Sequence, residues 1–173
     1  MLSRMTNPQT GWTEWLATLP QEQRATADGL LEAFTRLGAD APGEWARSEV
    51  AEGLPQLARF LLLRQLWTEA INGRENPGAL ENVPAAARLV SAGADRGDVV
   101  LAMRAAAFEA VFATLLALDE GGSPAGADEM PLPGWRLHET DSGGRLTGRC
   151  LNGLQESLRE TDPSGHDAQD IWT

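Results

Sequence analysis

Twenty consecutive residues, Val99–Leu118 (VVLAMRAAAFEAVFATLLAL), carry only two charges, Arg104 and Glu109. A second segment, Leu57–Trp67 (LARFLLLRQLW), sets Arg59 and Arg64 among large apolar side chains. A helix that is apolar on every face has no solvent side and belongs inside a protein. Charges drawn into that interior must be paired with counter-ions or put to chemical use. Any fold of this chain must therefore settle three cations and one anion on its two most apolar segments.

Val99–Leu118 is also nominally long enough to span a bilayer. Against that reading, each of its two central charges costs about 2.5–3.5 kcal/mol on the insertion scale, and alanine drives insertion weakly. Its flanks hold Asp95, Arg96 and Asp98 on one side and Asp119 and Glu120 on the other, so neither end is a basic anchor. A core helix and no membrane association are expected. The N-terminal MLSRMTNPQT has no apolar stretch of the signal-peptide kind. Cys150 is the single cysteine, which excludes an internal disulfide and fits a cytoplasmic setting.

With 173 residues the chain has the length of one domain. All fourteen basic residues are arginine, and both lysine and tyrosine are absent, a bias typical of a GC-rich bacterial genome. Every cation is therefore a planar fork suited to bidentate pairing with carboxylate or phosphate. The net charge of −11 carries no block of like charge. Clustered cations are what nucleic-acid binding requires, so that class is excluded. The acidic balance fits a solvated surface and favours a basic protein partner over an acidic one.

Turn and cap signals divide the chain into five to seven helices. Thr10 is placed to cap a first short helix in which Trp12 and Trp15 share a face. Pro20 restarts a helix whose stripe is Leu30, Leu31, Phe34 and Leu37, with Gly38 as its stop. From Glu44 to about Ile71 the pattern is helical but interrupted by Gly53 and Pro55, which predicts a kink or two consecutive helices. Pro84 leads a short alanine-rich helix over 84–92. Asp98 is the expected cap of the long apolar helix, and Gly121-Gly122 its end. Residues 121–133 (GGSPAGADEMPLP) read as a Pro/Gly linker. Beyond it, Trp135–Thr140, the turn at 141–144 and Arg145–Leu151 predict a β-hairpin. Leu151, Leu154 and Leu158 then predict one short amphipathic helix. The expectation is a mainly α, single-domain helical bundle over 1–120, with hairpin and helix over 134–173 packed onto it.

Signatures of common chemistries are missing: there is no GxSxG, P-loop, GxGxxG or HExxH motif. Two histidines, His138 and His166, and one cysteine cannot furnish a His/Cys metal cluster, so neither metal nor cofactor is expected. Glu49 and Glu52 share a helical face, yet lack the histidines of a di-iron carboxylate site. Cys150 stands next to Arg149 and across the predicted hairpin from His138, which makes it either a candidate thiol or a half-buried strand residue.

The charges of the two apolar segments remain. Packing those helices together brings three arginines, Arg59, Arg64 and Arg104, against one glutamate, Glu109. Either Glu49 and Glu52, joined by Arg47 and Glu69, close an ion-pair network, or the surplus arginines line an open pocket for a small anion. Two function classes follow. One is a non-catalytic, acidic interaction module, homodimeric or engaging a basic partner. The other is a phosphate- or carboxylate-binding protein or hydrolase, with Arg59, Arg64 and Arg104 holding the anion and Glu49, Glu52 or Glu109 as base. Tryptophans near the ends of the chain (Trp12, Trp15, Trp172) point more weakly to a partner surface or to packed termini.

Overall fold

The computed structural model describes residues 8–121 and 133–172. Most of the 121–133 linker segment, residues 122–132, lies outside the described residues. The fold is mainly α, with six α-helices and one two-stranded antiparallel hairpin among the described residues. The chain divides into two compact units, Met1–Leu57 and Ala58–Thr173.

The first unit holds α1 (Pro8–Thr18), α2 (Gln21–Arg36) and α3 (Pro42–Glu52). The first helix begins at Pro8, ahead of Thr10, because proline at a first turn gives up only an N–H that has no helical partner anyway. Ala27, Leu30 and Phe34 of α2 are buried, and Trp45 and Ala46 of α3 are buried as well. The Phe34 and Trp45 rings stack with centroids 5.9 Å apart. Trp12 and Trp15 do share a face, at 4.8 Å, and the Arg47 guanidinium lies 5.7 and 5.5 Å from their ring centroids. Arg47 also donates to the Gly11 carbonyl at 2.8 Å. Trp12 Nε1 donates to Asp28 at 3.1 Å. Gly53 ends α3 in the left-handed conformation (φ +71°), which a β-carbon would oppose. The break at Gly53 and Pro55 thus makes two helices.

The next helix, α4 (Gln56–Leu66), runs into a π-helical turn over Trp67–Ile71 and a 3-10 turn over Asn72–Glu75. Leu63, Trp67 and Ile71 follow one another at four-residue steps, and all three are fully buried. The wider π turn counters the drift of such a row around an α-helix and keeps Ile71 facing the core. After α5 (Pro84–Ser91), α6 spans Arg96–Glu120. Its N-cap is Asp95, not Asp98: the Asp95 carboxylate accepts from the Asp98 N–H at 3.1 Å. This is the usual reach of a cap side chain into the first turn.

The strands β1 (Leu137–Thr140) and β2 (Leu146–Leu151) pair with Leu137 opposite Leu151 and His138 opposite Cys150. Register is irregular between His138 and Thr140, and Gly148 takes φ +88°. A glycine in that conformation absorbs a bulge, which is why a strand containing Gly148 still pairs. The segment expected as a final amphipathic helix is instead a run of turns closing in a 3-10 turn, Arg159–Thr161. Gly153, at φ +65°, leaves the helical region at its start. Leu151, Leu154 and Leu158 are nevertheless buried, joining Leu63, Trp67, Ile71, Phe108, Leu115 and Ile171 in one core. Trp67 Nε1 donates to the Leu158 carbonyl at 2.7 Å, and the Trp67 and Phe108 rings are 5.7 Å apart.

Residues 162–172 look like a polar tail in sequence but are folded in. Asp162 is 3% exposed, and its carboxylate accepts from the Ser164 N–H, the Ser164 hydroxyl and the Ala168 N–H at 2.8–2.9 Å. That carboxylate bends the chain so that Ala168 and Ile171 reach the core. Asp162→Ala is expected to cost about 3 kcal/mol in urea unfolding, since it strands a buried N–H and removes charge-assisted bonds. Asp162→Asn should recover part of that loss, and amide exchange should rise first over 164–171.

Candidate functional site

The long apolar helix is not buried on every face. Only 22% of its most apolar 18-residue window is buried, although by length and composition alone α6 could cross a membrane. Arg104, Phe108 and Leu115 point inward, while Ala102, Ala106, Glu109, Ala113, Leu116 and Ala117 are exposed. Alanine exposes little apolar area, so a face built of it tolerates water where leucine would not. Glu109 therefore lies on the outside of α6, away from the core arginine.

Arg104 is 8% exposed and is neutralised within its own unit. Its Nη1 lies 3.1 Å from Glu75 Oε1, and its Nη2 lies 3.1 Å from Asp170 Oδ2 and 3.0 Å from Asn72 Oδ1. Asn72 and Glu75 come from the 3-10 turn after α4, and Asp170 from the C-terminal 3-10 turn (Gln169–Ile171). One guanidinium fork thus ties three stretches of chain together. Two carboxylates meet one cation, which leaves this cluster net negative.

The other candidates sit elsewhere. Arg59, 7% exposed on α4, donates through Nη2 to the Gly153 carbonyl at 2.7 Å and to Ser157 Oγ at 3.0 Å. A β-carbon on Gly153 would approach that nitrogen to 3.2 Å, so the glycine gives the arginine its room. The Arg64 guanidinium lies 5.2 Å from the Phe60 ring centroid, one helical turn back. Arg59 and Arg104 thus engage different segments, the first the turn after β2 and the second the two 3-10 turns. Glu49, half-buried, accepts from the Leu57 N–H at 2.8 Å, and Gln56 Nε2 donates to Ser48 at 2.7 Å. Glu49 therefore helps satisfy the N-terminal turn of α4. Glu52 is exposed at the end of α3. Glu69 is exposed and accepts from Gln65 at 3.1 Å.

Glu75, Asn72 and Asp170 were not legible as partners of Arg104. A carboxylate 66 residues away carries no periodic signal, and the Asp162 turn that brings it back is a tertiary device. On the hairpin, Glu139 accepts from Arg149 Nε at 2.7 Å and from Thr147 Oγ1 at 2.6 Å, with Arg149 Nη2 on its other oxygen. Cys150 Sγ lies 3.6 Å from His138 Nδ1, its cross-strand neighbour. No group of three or more His, Cys, Asp and Glu side chains that could hold a metal ion occurs among the described residues. Comparison with protein-family models, with curated proteins and with solved structures finds no match to the chain.

Two outcomes test these pairings. Arg104→Ala should destabilise the protein by about 2–3 kcal/mol in chemical denaturation, since a buried ion pair is broken while Glu75 and Asp170 regain water. Burial of Glu139 raises its carboxyl pKa, but the Arg149 and Thr147 hydrogen bonds prevail and hold it below the ordinary 4.5. With the folded pKa depressed, its contribution is complete above the unfolded value and is lost as pH falls through the folded one. The hairpin should therefore loosen in amide exchange only as pH falls below the ordinary carboxylate range, and Glu139→Gln should abolish that dependence.

Proposed function

We propose that this chain is a non-catalytic, acidic interaction module that engages a basic protein partner. The neutralisation of Arg104 by Glu75 and Asp170 carries this reading over the anion-binding alternative. A site for phosphate or a small carboxylate needs a cation with spare charge, and the Arg104 cluster is already over-compensated. Of the three arginines that made a hydrolase conceivable, Arg59 and Arg104 are engaged in holding turns in place.

What faces solvent has the opposite character. Net charge is −11, and several large apolar side chains are exposed, among them Leu89, Trp135, Leu146 and Trp172. Exposed apolar groups on a surface of net negative charge are the composition that a basic, amphipathic partner complements. A free thiol, Cys150, is compatible with a reducing compartment such as the cytoplasm.

Thermal melting at low salt separates the two readings. A leucine-rich helical peptide with arginine on its polar face should raise Tm, and moderate salt should cancel the effect. Inorganic phosphate at millimolar concentration should leave Tm unchanged. A rise with phosphate and none with the cationic peptide would overturn the module in favour of an anion site.

A further inference from the structure

The outer face of α6 has a charge pattern that selects its partner. Asp98, Glu109 and Glu120 are exposed and follow one another at eleven-residue steps. Eleven residues are about three helical turns, so the three carboxylates fall nearly on one line about 16 Å apart. Between them lie exposed Ala102, Ala106, Ala113, Leu116 and Ala117. The helix has only two cations, and neither serves this face: Arg104 is buried, and Arg96 is bound to Glu81 at 2.8 Å.

Beside the N-terminal half of this face is a groove of about 350 Å³ between α5 and α6. Ala86, Leu89, Val99, Ala102, Met103 and Ala106 line it, with Asp98 at its edge. Leu89 is 56% exposed there, a large apolar side chain with water over it. Alanines along α6 let a second helix approach closely, and the groove accepts its larger side chains.

We infer that this face docks an amphipathic helix of a basic partner, its apolar side chains over the alanines and the groove, and its cations at eleven-residue spacing against Asp98, Glu109 and Glu120. This deepens the proposed interaction module and rests on it. Charge selects against a second copy of the chain. An antiparallel self-pairing centred on Glu109 sets Glu109 against Glu109 and Asp98 against Glu120. All three contacts are then between like charges, which disfavours that self-pairing.

The test uses the full-length protein and a labelled helical peptide of about 25 residues, with leucines on one face and lysines at eleven-residue steps. Binding is read by fluorescence anisotropy at low salt. Ala106→Arg and Ala113→Arg, both at exposed positions and checked for fold by circular dichroism, should each weaken binding by roughly tenfold or more. Glu109→Lys should weaken it several-fold, and changing the central peptide lysine to glutamate should restore it. Peptide that binds the wild type and all three variants equally would overturn the α6 site while leaving the acidic module standing. No binding by the wild type would overturn both. A wild-type dimer dissociated by Ala106→Arg in sedimentation would assign the face to a second copy instead. Association with phosphatidylcholine vesicles that Ala106→Arg abolishes would assign it to a lipid surface. Either result defeats the basic-helix assignment.

Discussion

Arg104 is the constraint around which the larger unit is arranged. A guanidinium in the middle of the most apolar helix cannot be dried without partners. The chain supplies them from two places far apart in sequence, Asn72 and Glu75 on one side and Asp170 on the other. Meeting that requirement fixes where α4 must end and where the C-terminal segment must return. The π turn over Trp67–Ile71 and the Asp162-centred bend satisfy the two demands, and each also delivers a buried side chain, Ile71 and Ala168, to the core. Electrostatics and packing thus act on the same residues.

The same helix has a second, opposite role. Its inner face is aromatic and leucine-rich, with Phe108 against Trp67 and Leu115 among the leucines of the C-terminal turns. Its outer face is alanine and glutamate. Uniform hydropathy along the sequence hides this division, because alanine and leucine both read as apolar while leucine has roughly twice the side-chain area to bury. Side-chain size, more than polarity, distinguishes the two faces of α6.

Much of the fold was legible. Proline at first turns, glycine at helix ends and the break at Gly53-Leu54-Pro55 are local steric rules, and they place the starts of α2, α4 and α5 and the ends of α2, α3 and α6 within a residue or two. The hairpin was legible from its alternation and from Asp141-Ser142-Gly143-Gly144, where the Asp141 side chain accepts from the Gly143 and Arg145 N–H groups. Residues 151–160 misled because leucines three and four apart suit a run of turns as well as an α-helix. The difference lies in Gly153, whose backbone is left-handed and whose missing β-carbon leaves room for Arg59. The site was legible by half: the arginines that need counter-ions are apparent, and which anions answer them is not.

By itself the sequence determined the helical segments up to Gly121, that buried arginines would need partners, and that the surface would be acidic. These follow from short-range sterics and from composition, which the chain carries wherever it folds. Only the tertiary structure decided that Glu75 and Asp170 neutralise Arg104, that Arg59 holds the turn after β2, and that Glu109 faces water. Those outcomes depend on which distant segments meet, and on the rotation of α6 about its axis. A charge chooses its partner after the chain has closed, so neither spacing nor periodicity could name it beforehand.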